Sequence, residues 1–188
     1  MVPVAFADVW KVARAISGQF SEDEARALYQ LAVSVPQDQN IVEVGCYHGR
    51  STIVLAGSGR RVMTFDPMSI GYDVAGKKIT EEDVAMLREN LVWWPNVTWH
   101  QKSPQDAKDF RERVGLMFID GRHDSMWPRL DYECFAPLAV EGARAFFHDY
   151  LDSVSVKACV DTLISEGYLT LQQVVCGAVI CRVNKLGV

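Results

Sequence analysis

Acids, histidines and closely spaced glycines capable of chemistry gather at a few points of this 188-residue sequence. The stretch Ile41 to Thr52, IVEVGCYHGRST, closes an apolar run with an acid and continues into Glu43-x-Gly45-x-x-x-Gly49. Gly45 lets a backbone leave a strand in a sharp turn, and Gly49 removes a side chain where a bulky ligand would lie against the main chain. Arg50, Ser51 and Thr52 then open a helical segment whose first amide hydrogens can face the polar end of that ligand. Such a pattern marks a nucleotide-cofactor loop between a strand and a helix. Further along, Asp66, Ser103, Asp120, His123, His148 and Asp149 offer carboxylates, a hydroxyl and imidazoles. His123 suits proton removal near neutrality, because an unperturbed imidazole titrates at about 6.5.

The elements that must position these groups alternate. Helices are expected over Phe6 to Ile16 and from the capping box Ser21-Glu22-Asp23-Glu24 through Leu28, Leu31 and Ala32 to Pro36. Strand 41–45, a helix over 50–57, strand 61–66, a helix over 80–92 capped by Thr80, and strand 97–101 follow. Ser103-Pro104 predicts a helix running to Arg113, since a cap followed by proline suits a first turn. Strand 115–120, helix 126–138, strand 143–147 and helix 154–166 complete the alternation. Two last β-rich runs, Tyr168 to Val175 and Ala178 to Val183, are separated only by Cys176 and Gly177, so they must pair antiparallel. The order implies an α/β fold: a mostly parallel sheet covered on both faces, with one antiparallel strand near an edge. On such a sheet ligands bind beyond the carboxyl ends of the strands, where Glu43, Asp66, Ser103, Asp120, His148 and Asp149 fall.

Composition narrows the function classes. The hydrophobic content of 49% can fill the core of one domain, taken as residues 1–188 with a helical extension (1–36) before the core (41–184). A net charge of -5 with no Lys/Arg run speaks against a nucleic-acid partner. No run is apolar enough to span a membrane, and the N-terminus lacks a basic leader. The five cysteines are scattered without a C-x-x-C pair, as in a reduced, cytoplasmic protein. Trp93, Trp94, Trp99 and Trp127 are read as core or oligomer-surface residues.

With these motifs placed, the chain resembles the class I S-adenosylmethionine-dependent methyltransferases, most nearly their small-molecule group. Motifs of that group run VEIG-x-x-x-GRST, FIDG-x-H and a strand ending in HDY; the matching segments are Val42 to Thr52, Phe118 to His123 and His148 to Tyr150. The resemblance extends in element order from Ile41 to Val183 and implies a Rossmann-like, doubly wound sheet with a C-terminal antiparallel hairpin. It implies methyl transfer from S-adenosyl-L-methionine to a small-molecule acceptor, at an oxygen. Glu43, Gly45, Tyr47 and Gly49 would line the methionine end of the cofactor, with Ser51 and Asp120 also beside it. Asp66 would accept hydrogen bonds from the ribose hydroxyls, or else serve as a loop or capping acid. Ser103 would sit by the adenine, a place compatible with capping, while His48 is expected to face solvent.

In related oxygen methyltransferases, acids after the fourth and fifth strands hold a divalent ion. Here that implies Asp120 and Asp149 as ligands for Mg²⁺ or another divalent cation, with His148 suited to a softer metal. Arg122 departs from the group, which carries an acid there; it would repel a metal and could hold an anionic acceptor or pair with Asp124. Without a metal, His123 becomes the base, acting beside Asp120. The loop Pro67 to Lys78, with Gly71, Gly76, Lys77 and Lys78, is expected to form a mildly basic lid, and a homodimer would help close so small a site. Two other readings stay open: an NAD-dependent oxidoreductase, against which the missing G-x-G-x-x-G counts, and a non-catalytic binding or assembly module of the same fold.

Overall fold

Period-two alternation in the strands and 3.6-residue periodicity in the helices build a sheet clad on both faces. The structure is a computed structural model that describes residues 1–69, 73–74 and 77–184. In chain order the elements are α1 (Phe6–Ala13), α2 (Glu22–Ser34), β1 (Asn40–Val44), α3 (Arg50–Ala56) and β2 (Arg61–Phe65). The short pair β3 (Asp73–Val74) and β4 (Lys77–Lys78) precedes α4 (Glu81–Leu91) and β5 (Val97–His100). Then come β6 (Val114–Ile119), α5 (Trp127–Phe135), β7 (Ala139–Phe147), α6 (Val154–Ser165), β8 (Leu169–Val175) and β9 (Ala178–Val183). The seven-stranded sheet has the order β5-β2-β1-β6-β7-β9-β8. Strands β5, β2, β1, β6 and β7 run parallel, and β9 is antiparallel to both its neighbours. The sheet is thus the Rossmann-like arrangement expected, with the hairpin supplying the antiparallel strand.

Alternation decides which face each side chain serves. Ile41, Val62, Leu116, Phe118 and Phe146 pack under α1, α2 and α3 with Val9, Leu28, Ala32 and Ile53. Val42, Val44, Phe65, Met117, Ile119 and Phe147 pack on the other face with Tyr132 and Phe135 of α5 and Val160 and Leu163 of α6. The order reverses between β1 and β6: β2 lies to one side of β1 and β7 to the far side of β6. On such a sheet the ligand crevice lies beyond the carboxyl ends of these two strands.

Several expected boundaries move. The helix predicted from Ser103 to Arg113 is a single 3-10 turn, Pro104–Asp106. Ala107 leaves helical geometry at φ -83°, ψ 36°, and Phe110 turns inward to pack edge-on against Phe65 and Phe135. Core burial of that one ring outweighs the local cap-and-proline signal. α1 ends at Ala13, three residues before Ile16, where the Arg50 side chain donates to the carbonyls of Ala13, Arg14 and Gly18. β7 begins at Ala139, earlier than 143, after a 3-10 turn over Ala136–Leu138 ends α5. The capping box at Ser21 is formed as expected, and Thr80, expected as a cap, closes a second box with Asp83. Part of the expected lid, Gly71 and Gly76 included, lies outside the described residues. Among the described residues no helix is long and apolar enough to cross a membrane.

α1 rests on α3 at Gly57, where an added Cβ would lie 2.4 Å from Val9 Cγ2. Gly57→Ala is expected to lower stability by about 1–3 kcal/mol through overpacking. Val9→Ala in the same chain should recover much of that loss, a non-additivity measurable by urea unfolding of the two single variants and the double.

Candidate active site

The crevice is built on β1. Alternation turns Glu43 towards α3, where the first turn presents two hydroxyls: Ser51 Oγ donates to Oε1 and Thr52 Oγ1 to Oε2, both at 2.7 Å. Glu43 is fully buried, and burial pushes its carboxyl up to about 7 against the opposing pull of Ser51 and Thr52. It therefore ties strand to helix beneath the loop, and Ser51, which was expected beside the cofactor, is spent on that tie. Directly beyond β1, Gly45 takes φ +80°, and an added Cβ would lie 2.1 Å from the Asp120 carbonyl oxygen. The two central strand ends can approach this closely only at glycine.

Gly49 also needs its φ of +90°, at the start of α3. Its missing side chain makes room for Leu87 and Leu91 of α4, which a Cβ would meet at 3.2 and 3.3 Å. On the Cβ side the neighbour is thus a helix of the protein. Between the glycines, Tyr47 holds a left-handed φ of 44°. Asp66 braces this apex: its Oδ2 accepts from the amides of Cys46 and Tyr47 at 2.9 and 3.0 Å, and its Oδ1 from the Met68 amide at 2.9 Å. Asp66 thus acts as the loop acid that was one of its two expected roles. His48, expected to face solvent, is instead buried, with Nε2 2.7 Å from Asp83 Oδ1.

On the β6 and β7 side, four titratable side chains converge. His123 Nε2 lies 3.3 Å from Asp120 Oδ1, and His123 Nδ1 lies 3.3 Å from Asp149 Oδ2. His148 Nδ1 sits 3.3 Å from Asp120 Oδ1 and 3.1 Å from Asp149 Oδ1. Each imidazole spans the same two carboxylates. Burial pulls His148 down, but Asp120, Asp149 and Glu24 outweigh it and raise its pKa to about 12. His123 is raised too, chiefly by its hydrogen bond to Asp120. Burial raises Asp120, yet the two imidazoles outweigh that and hold it below its usual value.

One carboxylate of this cluster was seen in the sequence only as a helix cap. Glu24 closes the α2 capping box through Oε2, while its Oε1 lies 3.8 Å from His148 Nε2. The signal was the alternation in β7: Phe146 and His148 share the face covered by the N-terminal helices, so a residue of α2 had to meet that imidazole. Phe20 packs on the same ring at 5.5 Å.

Asp120, His123 and Asp149 each bring one potential ligand atom, all within 4.8 Å of one another. His148, expected in that set, is not part of it; His123 brings the nitrogen that lies close to both carboxylates. Arg122 forks onto Asp124 at 3.0 and 2.9 Å and lies 4.6 Å over the Trp127 ring, so its charge is directed to an acid rather than into the cluster. Ser103 Oγ donates to Asp106 Oδ2 at 2.7 Å and caps no amide. Nearby, Gln105 donates to the buried Asp131, whose carboxyl burial pushes up to about 6.

Glu43 gives this site a pH signature. Its folded pKa of about 7 exceeds the unfolded 4.5, so between these values the folded chain binds the extra proton and stability falls as pH rises. The loss across that window should be about 3 kcal/mol. Glu43→Gln, which keeps acceptor and donor in place, should flatten the dependence when unfolding free energy is measured from pH 4.5 to 7.5.

Comparison with known proteins agrees with this geometry. The family model described as Methyltransferase domain (Methyltransf_24) matches residues 42–150, from β1 through the HDY segment. Rv0187 from MTB, solved with a bound cofactor, superposes with a TM-score of 0.70 at 18% identity, over 94% of this chain and 88% of its own. An O-methyltransferase from Bacillus cereus, in complex with SAH, gives 0.68 at 18% identity over 95% and 90%. The O-methyltransferase TomG from Streptomyces achromogenes, in complex with SAM, gives 0.67 at 15% identity over 95% and 89%. At such identities these likenesses show a shared fold. The family match covers more than half of the sequence and includes both central strand ends and the carboxylate and histidine cluster beyond β6 and β7: the chain belongs to the Methyltransf_24 methyltransferase family.

Proposed function

We propose that this methyltransferase moves a methyl group from S-adenosyl-L-methionine to a hydroxyl of a small acceptor, within one domain in which residues 1–36 extend the catalytic core. The observation that carries this reading is the crevice between β1 and β6, where Gly45 lies against the Asp120 carbonyl with the cluster Asp120, His123, His148 and Asp149 on its rim. The fit to the cofactor rests on this chain's own features. The loop turns through left-handed φ values at Gly45, Tyr47 and Gly49, and a carboxylate, Asp66, closes the second strand beside it. When bound, S-adenosylmethionine supplies a methyl carbon on a positively charged sulfur.

The acceptor is read as an oxygen because of what faces it. A neutral hydroxyl is a poor nucleophile and gains from a base or a cation, and this cluster offers a base and side chains that could hold a cation. His123 would take the hydroxyl proton, with Asp120 and Asp149 orienting its ring. Asp120, His123 and Asp149 also form a donor set of two hard oxygens and one nitrogen that fits a divalent cation. A cation there would supply charge that lowers the hydroxyl pKa. Catalysis would otherwise come from holding the two reactants in line. Arg122, engaged with Asp124 and Trp127, gives less support to an anionic acceptor than the sequence suggested. The five free cysteines accord with a cytoplasmic setting.

Calorimetry with S-adenosylhomocysteine tests the cofactor half: the wild type should show saturable binding and Gly45→Arg none, and a folded wild type that binds nothing overturns the reading. For the chemistry, His123→Ala should lower kcat about 100-fold while leaving S-adenosylhomocysteine affinity unchanged. Loss of activity with a chelator, matched by Asp149→Ala, is expected if the cation contributes; activity untouched by either removes it from the mechanism.

A further inference from the structure

The loop apex is held from two sides, and only one of them involves a residue that the site so far includes. Asp66 takes the backbone amides of Cys46 and Tyr47. The side chains of the same apex go elsewhere, to Asp83 on the first turn of α4. Asp83 Oδ1 lies 2.7 Å from His48 Nε2 and 3.4 Å from the Tyr47 hydroxyl. Its other oxygen, Oδ2, accepts from the amide and hydroxyl of Thr80, both at 2.8 Å, closing the capping box. One carboxylate therefore joins the N-terminus of α4 to the loop between β1 and α3.

Three further contacts make this join rigid. The Tyr47 and His48 rings stack at 3.7 Å and 16°, so a pull on one ring moves the other. The His48 carbonyl accepts from Asn90 Nδ2 at 2.9 Å, which fixes the residue along the length of α4. Gly49 then packs against Leu87 and Leu91 of the same helix. His48 is almost fully buried, and among the described residues its Nδ1 has no hydrogen-bond partner, so the Nε2 contact with Asp83 is what fixes the ring edge. Tyr47 is not glycine, yet it stays at φ 44°, a conformation that persists only where the surroundings over-determine it.

We propose that Asp83 is a positioning residue for the cofactor: acting through His48, it holds the Tyr47 apex in the left-handed conformation that shapes the binding loop. The proposal rests on the S-adenosylmethionine reading above. Asp83 touches no cofactor itself; its carboxylate fixes the ring pair whose backbone forms the loop. Loss of the join should therefore weaken cofactor binding beyond what loss of the helix cap explains.

The test is calorimetry with S-adenosylhomocysteine on the full chain, with thermal melting of each variant. Asp83→Ala and His48→Phe, which cut the same contact from its two ends, should each raise Kd about tenfold, as expected for one charge-assisted hydrogen bond. His48→Phe keeps the ring stack and buried volume, so it reports even if Asp83→Ala folds poorly. The double variant should bind no worse than either single one, since both remove one interaction. Thr80→Ala, which removes only the cap, should stay within about twofold of wild type in Kd while melting lower. Unchanged Kd in His48→Phe, additive losses in the double variant, or an equal loss in Thr80→Ala overturns the proposal while leaving the cofactor reading intact. A wild type that binds no S-adenosylhomocysteine overturns both.

Discussion

Everything at this site depends on one steric constraint, the approach of Gly45 to the main chain of Asp120. The two central strands leave the sheet so close together that a single Cβ would lie 2.1 Å from a carbonyl oxygen. Because β2 and β7 depart to opposite sides, that meeting point is also where the sheet's winding reverses. A loop that turns there at positive φ, a buried Glu43 that ties it down to α3, and Asp120 and His123 on the facing strand end, beside His148 and Asp149 beyond β7, gather around the same contact. Any side chain at Gly45 would push apart the two halves that the chemistry must bring together.

The electrostatics of the cluster follow from burial. Asp120, Asp149 and Glu24 would be costly charges to bury unpaired, and His148 at the centre offsets them by holding a proton far above its usual range. That leaves His123, more open than its neighbour, as the imidazole able to face an acceptor. The donor atoms close enough together to hold a cation belong to Asp120, His123 and Asp149. The N-terminal helices take part in this balance through Glu24, so they belong to the site's electrostatics as well as to its packing.

Local signals made much of this legible in the sequence. The strand-helix alternation, the hairpin at Cys176-Gly177, the capping box at Ser21, the cap at Thr80, and the turn at Gly45 each depend on a few consecutive residues, and the structure has them. Misreadings occurred where a distant partner decides. The Ser103 segment stops being a helix because Phe110 is drawn into a core whose other rings are Phe65 and Phe135. At Gly49 the room left by the missing side chain is filled by leucines of α4, which no local signal announces. Glu24 read as a box acid and nothing more, and Asp83 carried no reading at all, because one oxygen of each carboxylate serves a residue far away in the sequence, His148 and His48.

The most direct test of the central claim is a crystal structure of the protein with S-adenosylhomocysteine and a divalent cation. The account predicts the cofactor in the crevice between β1 and β6, its sulfur beside Gly45 and facing the space bounded by Asp120, His123 and Asp149. Cofactor bound elsewhere, or a sulfur turned away from those three side chains, would contradict it.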